Sequence, residues 1–174
     1  MRGLKESYKK NCKNIRLIIT DVDGVLTDGG RYYSKSGQKL KKFHVRDGMG
    51  VNLLLRCDIK TVILTKERSE IVKKWSKDMN VSKTYTGVTN KELELKKICK
   101  DFSLTPSQIA FIGDDVNDFS LLKLVGLSAS PNDGIASVKK VVDYVCDSNG
   151  GCGAFRELSN VILKNKFPKK HNWY

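Results

Sequence analysis

Two aspartates, Asp21 and Asp23, stand two residues apart in ITDVDGVLTDGG, directly after a run of aliphatic residues. Three more carboxylates fall close together in IGDDVNDF, at Asp114, Asp115 and Asp118. Between these groups one hydrophobic run ends in Thr65 and Lys66, and TNKELEL carries Lys91. Taken singly these are weak signals. An Asp-x-Asp before glycine is ordinary turn chemistry, and a threonine closing a strand is ordinary β-propensity. Gathered at one point they would be something else. Several carboxylates cannot all stay ionised together without a cation, and an all-oxygen donor set suits Mg2+. Thr65 and Lys91 would then donate to a phosphoryl group held beside the ion.

Whether they gather depends on the elements that carry them. Ile15–Thr20, Lys60–Thr65 and Ile109–Ile112 read as buried strands. LVGLSAS predicts a short fourth strand and Val141–Cys146 a fifth. Helical spacing runs over Gly48–Cys57, Glu70–Met79 and Lys91–Phe102, and Thr105-Pro106 opens a short turn. Alternating strands and helices predict an α/β fold, a three-layer parallel sheet with helices on both faces. The C-terminal ends of its strands share one edge, where ligands bind. Asp21, Thr65 and Asp114 all fall at that edge. The stretch GRYYSKSGQKLKKFHV breaks the rhythm and predicts a β-hairpin insert over residues 30–45, too short to form a separate cap domain. The whole chain, 1–174, then reads as one domain with a basic N-terminal arm (1–14) and a basic tail (165–174).

These motifs resemble the haloacid dehalogenase superfamily of phosphohydrolases. DVDGVLTDGG matches its first motif, VILT its second at Thr65, Lys91 its third and GDDVND its fourth. The resemblance is nearest to the capless branch acting on eight- and nine-carbon keto sugar acid phosphates. The further marks are the hairpin, VRDGMG, VGLSASP and GGCGAFRE. It implies a Mg2+-dependent phosphatase in which Asp21 is the nucleophile and Asp23 the acid and base. Asp21, the backbone carbonyl of Asp23 and Asp114 would ligate Mg2+, while Thr65 and Lys91 hold phosphoryl oxygens. Asp118 would orient Lys91 or a metal-bound water, with Asp115 supporting the same loop. Asp23, His44, Val45, Arg46, Asp47 and Gly48 would meet the sugar acid. The resemblance also implies a homotetramer assembled through hairpins, in which GGCGAFRE, Arg156 included, reaches a neighbouring site.

Substrate choice divides the branch. The octulosonate 8-phosphate enzymes usually carry Gly-Arg after the second-motif threonine, and arginines where this chain has Asn52 and Trp75. Lys66-Glu67 and LSASP favour the nonulosonate (sialic-acid-type) 9-phosphate side, with octulosonate 8-phosphate as the alternative. A non-catalytic assembly domain associated with a cytidylyltransferase is the alternative of another class. It is disfavoured because Asp21, Asp23, Lys91 and Asp114 are all present.

Composition narrows the rest. The net charge of +13 is spread over many segments, without a nucleic-acid-binding motif, and predicts solvated faces rather than nucleic-acid binding. No apolar run approaches the ~20 residues of a membrane span. Five cysteines without a CxxC pair predict reduced thiols and a cytoplasmic protein. Cys152 reads as a bystander and Trp75 as core.

Overall fold

The computed structural model describes residues 7–170. Six parallel strands form the central sheet in the order β5-β4-β1-β6-β7-β8. They are β1 (Leu17–Thr20), β4 (Lys60–Leu64), β5 (Lys83–Tyr85), β6 (Ile109–Ile112), β7 (Leu127–Ser130) and β8 (Tyr144–Val145). β1 lies between β4 and β6, with Thr20 level with both Ile63 and Ile112. The residues that follow, Asp21, Leu64-Thr65 and Gly113-Asp114, therefore leave the sheet at one level.

Every residue of β1 is buried because both faces of the sheet are covered. Side chains alternate across a strand. Ile18, Ile63, Ala110 and Ile112 enter one core layer, and Leu17, Ile19, Val62, Leu64 and Phe111 the other. The first layer is closed by α1 (Ser7–Asn14), α2 (Val45–Leu55), α3 (Glu70–Asp78) and α7 (Ala154–Lys166). The second is closed by α4 (Lys91–Phe102), α5 (Phe119–Leu122) and α6 (Ala136–Lys139). The three-layer α/β architecture is as expected.

The differences are local. The stretch expected as a basic arm is α1 from Ser7 onward, with Tyr8 and Cys12 inserted into the core. Residues 1–6 of that arm and 171–174 of the tail lie outside the described residues. The fifth expected strand shrinks to Tyr144–Val145, since Asp143 turns back to accept hydrogen bonds from the Ser128 N–H and hydroxyl, both at 3.0 Å. β5 was not expected, because only Tyr85 of its three residues is buried and no apolar alternation marks it. The hairpin insert is present as β2 (Tyr32–Ser34) and β3 (Gly37–Leu40). Tyr32 and Leu40, apolar residues suited to burial, are 60% and 62% exposed in the single chain. Phe43 alone of that set packs inward, stacked on Trp75 with ring centroids 4.7 Å apart.

Candidate active site

A cavity of ≈ 680 Å³ opens at the C-terminal edge of the sheet, beside β1 where the strand order changes direction. Asp21, Asp23, Thr65, Glu67, Asp114 and Asp115 line it, with Arg31, Lys66 and Asn117. Its floor is charged and buried. Lys91, the first residue of α4, is fully buried there, with its ammonium 2.7 Å from Asp21 Oδ2 and 2.6 Å from Asp118 Oδ1. Burial works against that ammonium, but the two carboxylates outweigh it and hold its pKa above the ordinary lysine value.

Asp118 is the hub of the fourth motif. Its Oδ2 accepts the Asp114 N–H at 2.9 Å, which fixes the loop carrying Asp114, while its Oδ1 takes Lys91. Gly113 leaves the space for this, since a Cβ there would lie 2.5 Å from the Asp118 carboxyl carbon. Gly24 plays a matching part opposite. At φ +83° it turns the chain beneath Asp21 and Asp23, and a Cβ there would lie 2.1 Å from Asp114 Oδ2.

One oxygen from each of Asp21, Asp114 and Asp118 lies within 4.8 Å of the others. Burial first, then repulsion from Asp21 and Asp118, pushes the Asp114 carboxyl up to about 8. Burial likewise raises Asp21 to about 6, opposed by Lys91 and assisted by Asp118. Asp114 Oδ1 is buried without a hydrogen-bond partner. Hard oxygen donors, excess negative charge and an orphaned carboxylate oxygen fit a small divalent cation such as Mg2+.

The part expected of Asp23 in holding a cation is that of its backbone carbonyl, not of its side chain. Its carboxylate turns away from the triad towards the base of the hairpin, where it pairs with Lys41 and lies 3.3 Å from Arg31. That leaves its backbone carbonyl for any part in holding a cation. Asp118, expected in support, also contributes an oxygen to the carboxylate cluster. The Lys41 ammonium, wholly shielded from solvent, also lies 2.5 Å from Glu67 Oε2. It lets two carboxylates stand together at the rim. Burial opposes ionisation of Asp23, but Lys41 and Arg31 hold its carboxyl below the usual range. Replacing Lys41 with Met should therefore displace Asp23 and lower kcat by roughly tenfold or more, a part of the ~10²–10⁴-fold that acid–base catalysis supplies. Steady-state kinetics beside Lys41→Arg checks this, and an unchanged kcat for the Met variant would remove Lys41 from the account.

The other expected substrate residues do not reach this cavity in their own chain. His44 caps α2, its Nδ1 accepting the Arg46 N–H at 3.1 Å. Val45 is 84% exposed, beside an exposed Arg46 and away from the cavity. Gly48 is buried where a Cβ would meet Met79 Sδ at 2.3 Å. Asp47 is fully buried and accepts the Arg156 N–H at 2.8 Å, so it caps the first turn of α7 from another helix. Burial pushes its carboxyl up to about 6. Sequence reading missed Arg31 and Lys41, whose connection to Asp23 exists only once the hairpin folds back. Thr65 lies at the cavity as expected, and Asp115 caps the turn Val116–Asp118.

A family profile described as haloacid dehalogenase-like hydrolase matches residues 57–158. The chain belongs to that family. The matched stretch of the hydrolase includes Thr65, Lys91, Asp114 and Asp118, and its relatives extend the likeness across Asp21 and Asp23. The 3-deoxy-D-manno-octulosonate 8-phosphate phosphatase KdsC of Haemophilus influenzae is 38% identical over 156 residues, 90% of this chain and 87% of that protein. KdsC of Escherichia coli K12 is 36% identical over 151 residues, 87% of this chain and 80% of that protein. Among solved structures, the octulosonate 8-phosphate phosphatase of Moraxella catarrhalis, in complex with magnesium ion, phosphate ion and a KDO molecule, has a TM-score of 0.90 at 32% identity. That match covers 93% of each chain. The cobalt-bound Haemophilus influenzae phosphatase has a TM-score of 0.87 at 38% identity, covering 90% of this chain and 91% of that one. The hydrolase is a phosphoric monoester hydrolase, the class its relatives share.

Proposed function

We propose that this hydrolase removes the terminal phosphate of 3-deoxy-D-manno-octulosonate 8-phosphate in a Mg2+-dependent reaction. The observation that carries the reading is the likeness, along most of the chain, to KdsC proteins of that activity. It displaces the preference for nonulosonate 9-phosphate that Lys66-Glu67 suggested. Glu67 keeps the nonulosonate reading as a second one, because it lines the cavity and is fixed there by Lys41.

In this reading Asp21 attacks phosphorus and forms an aspartyl-phosphate, with the sugar alkoxide leaving. Asp23 gives its proton to that alkoxide and then takes one from the water that attacks the phospho-enzyme, which returns phosphate and free Asp21. Asp23 therefore has to be protonated as substrate enters, although Lys41 and Arg31 by themselves favour its ionised form. The negative charge of an entering phosphate dianion, with Arg31 drawn towards it, favours that protonation. Lys91 and Thr65 hold phosphoryl oxygens, and Asp118 keeps Lys91 in place. Mg2+, held by Asp21 and Asp114 with the Asp23 carbonyl, supplies charge neutralisation of the phosphoryl group.

Phosphate release from octulosonate 8-phosphate and from a nonulosonate 9-phosphate, compared as kcat/KM, tests the reading. A preference for the nine-carbon substrate would reverse the two readings. The chemistry of the carboxylates gives a separate check. The raised pKa values of Asp21 and Asp114 mean that the metal-free fold binds more protons than the unfolded chain. Their stabilising effect is full below about pH 4 and is lost as pH rises through about 6 and 8. Thermal melts without metal should thus fall across that window, and Mg2+ should raise the melting temperature more at pH 8 than at pH 6. An Mg2+ effect independent of pH would mean that these carboxylates do not hold it.

Assembly is part of the same proposal. Tyr32, Tyr33 and Leu40 expose apolar surface on the hairpin, and the exposed Val45 and Arg46 lie away from their own cavity. A homotetramer in which hairpins pair and bring Arg46 to a neighbour's cavity would use both. Light scattering at assay concentration should report a tetramer, and a fully active monomer would end this part of the proposal.

A further inference from the structure

Gly150 and Gly151 sit directly beneath the loop that follows β1. A Cβ on Gly150 would lie 1.9 Å from the Gly24 carbonyl oxygen, and one on Gly151 2.3 Å from the Asp28 nitrogen. The Gly151 N–H donates to the Val25 carbonyl at 2.9 Å. The nucleophile loop therefore rests on a platform contributed by the distant 147–151 segment.

Two acidic side chains hold that platform. Glu157, in the first turn of α7, accepts the Asp147 N–H at 2.9 Å on Oε1 and the Ser148 N–H at 2.9 Å on Oε2. It also accepts the Tyr144 hydroxyl at 2.7 Å. Burial opposes its ionisation, yet these donors hold its carboxyl below the usual range. Asp133 accepts the Gly150 N–H at 2.9 Å. Its turn also reaches the opposite wall of the site, because the Ile135 N–H donates to the Asp114 carbonyl at 3.0 Å. One turn thus touches both the platform under Asp21–Asp28 and the backbone of Asp114.

We propose that Glu157 and Asp133 are positioning residues that set the separation of Asp21 and Asp114 by clamping the Asp147–Gly151 loop under the nucleophile loop. Neither lines the cavity and neither touches the reacting atoms. Their action is mechanical. Releasing the platform lets Gly24 drop away from Asp114, which widens the gap between the carboxylates on either side of it. A displacement of about 1 Å in such a site costs on the order of 10²-fold in rate.

The inference rests on the carboxylate cluster as the reacting centre, not on the identity of the sugar acid. The test uses the full-length protein with Glu157→Ala, Glu157→Gln, Asp133→Ala and Asp133→Asn. Three quantities are measured: kcat and KM on whichever phosphate monoester the wild type turns over, Mg2+ affinity by calorimetry, and amide exchange by mass spectrometry. For Glu157→Ala kcat is expected to fall about tenfold or more, with KM moving less than about threefold and Mg2+ binding weakened. Faster exchange should be confined to 22–28 and 147–152. Asp133→Asn, which keeps the single acceptor oxygen that Gly150 uses, should recover most of the loss relative to alanine, whereas Glu157→Gln, which keeps one of the two acceptor oxygens in use, should recover only part. Unchanged kcat and Mg2+ affinity in both alanine variants would overturn the proposal. So would exchange that rises throughout α7 and β8 with activity falling only as the folded fraction falls, since that is the mark of a merely structural role. A wild type inactive on every phosphate monoester would count against the hydrolase reading alone, because the calorimetric and exchange arms do not depend on turnover.

Discussion

Asp21→Asn is expected to lower phosphate release by roughly 10⁴-fold or more, as loss of a catalytic nucleophile does elsewhere, while the protein stays folded. The amide cannot attack phosphorus to form the acyl phosphate, so the covalent route is closed. The fold should tolerate the change for a specific reason. Asp21 Oδ1 accepts the Val22 N–H at 2.7 Å, and an asparagine oxygen can take over that bond. Lys91 would lose one of its two carboxylate partners, but the remaining cluster would lose a charge that burial already disfavours. These effects oppose each other, and the melting temperature without metal should stay within about 4 °C of wild type, equivalent to roughly 1 kcal/mol or so. Rapid-quench mass spectrometry provides the second readout. Wild type should show a phosphorylated peptide containing Asp21, and the variant none. Turnover near the wild-type rate, or a phosphopeptide elsewhere, would remove Asp21 as nucleophile.

Lys91→Met should be worse for the protein as a whole. The side chain is fully buried between Asp21 and Asp118, and methionine matches its length without its charge. Removing one partner from a buried ionic group leaves uncompensated charge and typically destabilises by about 3–5 kcal/mol. Here the orphaned charges are two carboxylates close to a third, Asp114. Activity should fall by about 10²–10³-fold as well, the usual loss for a donor to a developing anion. Acidification should return part of the stability, since protonation relieves the repulsion, but none of the activity. Urea denaturation at pH 5.5 and pH 8 separates the two effects. If Lys91→Met were as stable as wild type at pH 8, the ion pairs would be ornamental, and if it kept its rate, the phosphoryl group would be held by something else.

How much of this could be read from the chain alone follows from what each residue depends on. Asp21, Thr65 and Asp114 were legible because each ends a strand buried on both faces, and such strands are continuous aliphatic runs in sequence. Their meeting then follows from parallel topology. Lys91 was legible only by motif, since nothing local shows that a lysine opening a helix will be buried. His44 and Asp47 were expected at the sugar acid, yet within this chain both are caps, His44 of its own helix α2 and Asp47 of a helix elsewhere in the fold. Asp47 serves the N-terminus of α7, more than a hundred residues away. The partners of Asp23 were hidden for a similar reason, because Lys41 reaches it only through the fold-back of the hairpin. The helix α1 was obscured by lysines, which carried the eye to charge and away from Tyr8 and Cys12.

The placement of β1 between β4 and β6 also governs how the protein can come to be active. The partners of this strand lie about forty and ninety residues further along the chain. Its two ladders close only after long intervening segments have been gathered in, and contacts of such high sequence separation form slowly. Helices α2, α4 and α7 can begin to form from local contacts, so helical signal should return early in refolding. The strand-end carboxylates acquire their neighbours only when the central three strands are paired, and the platform under them is supplied from the far end of the chain. Recovered phosphatase activity is therefore a clock for the completion of the sheet rather than for collapse. A lag between circular dichroism and turnover in one refolding trace would measure the time the chain takes to bring its two halves together.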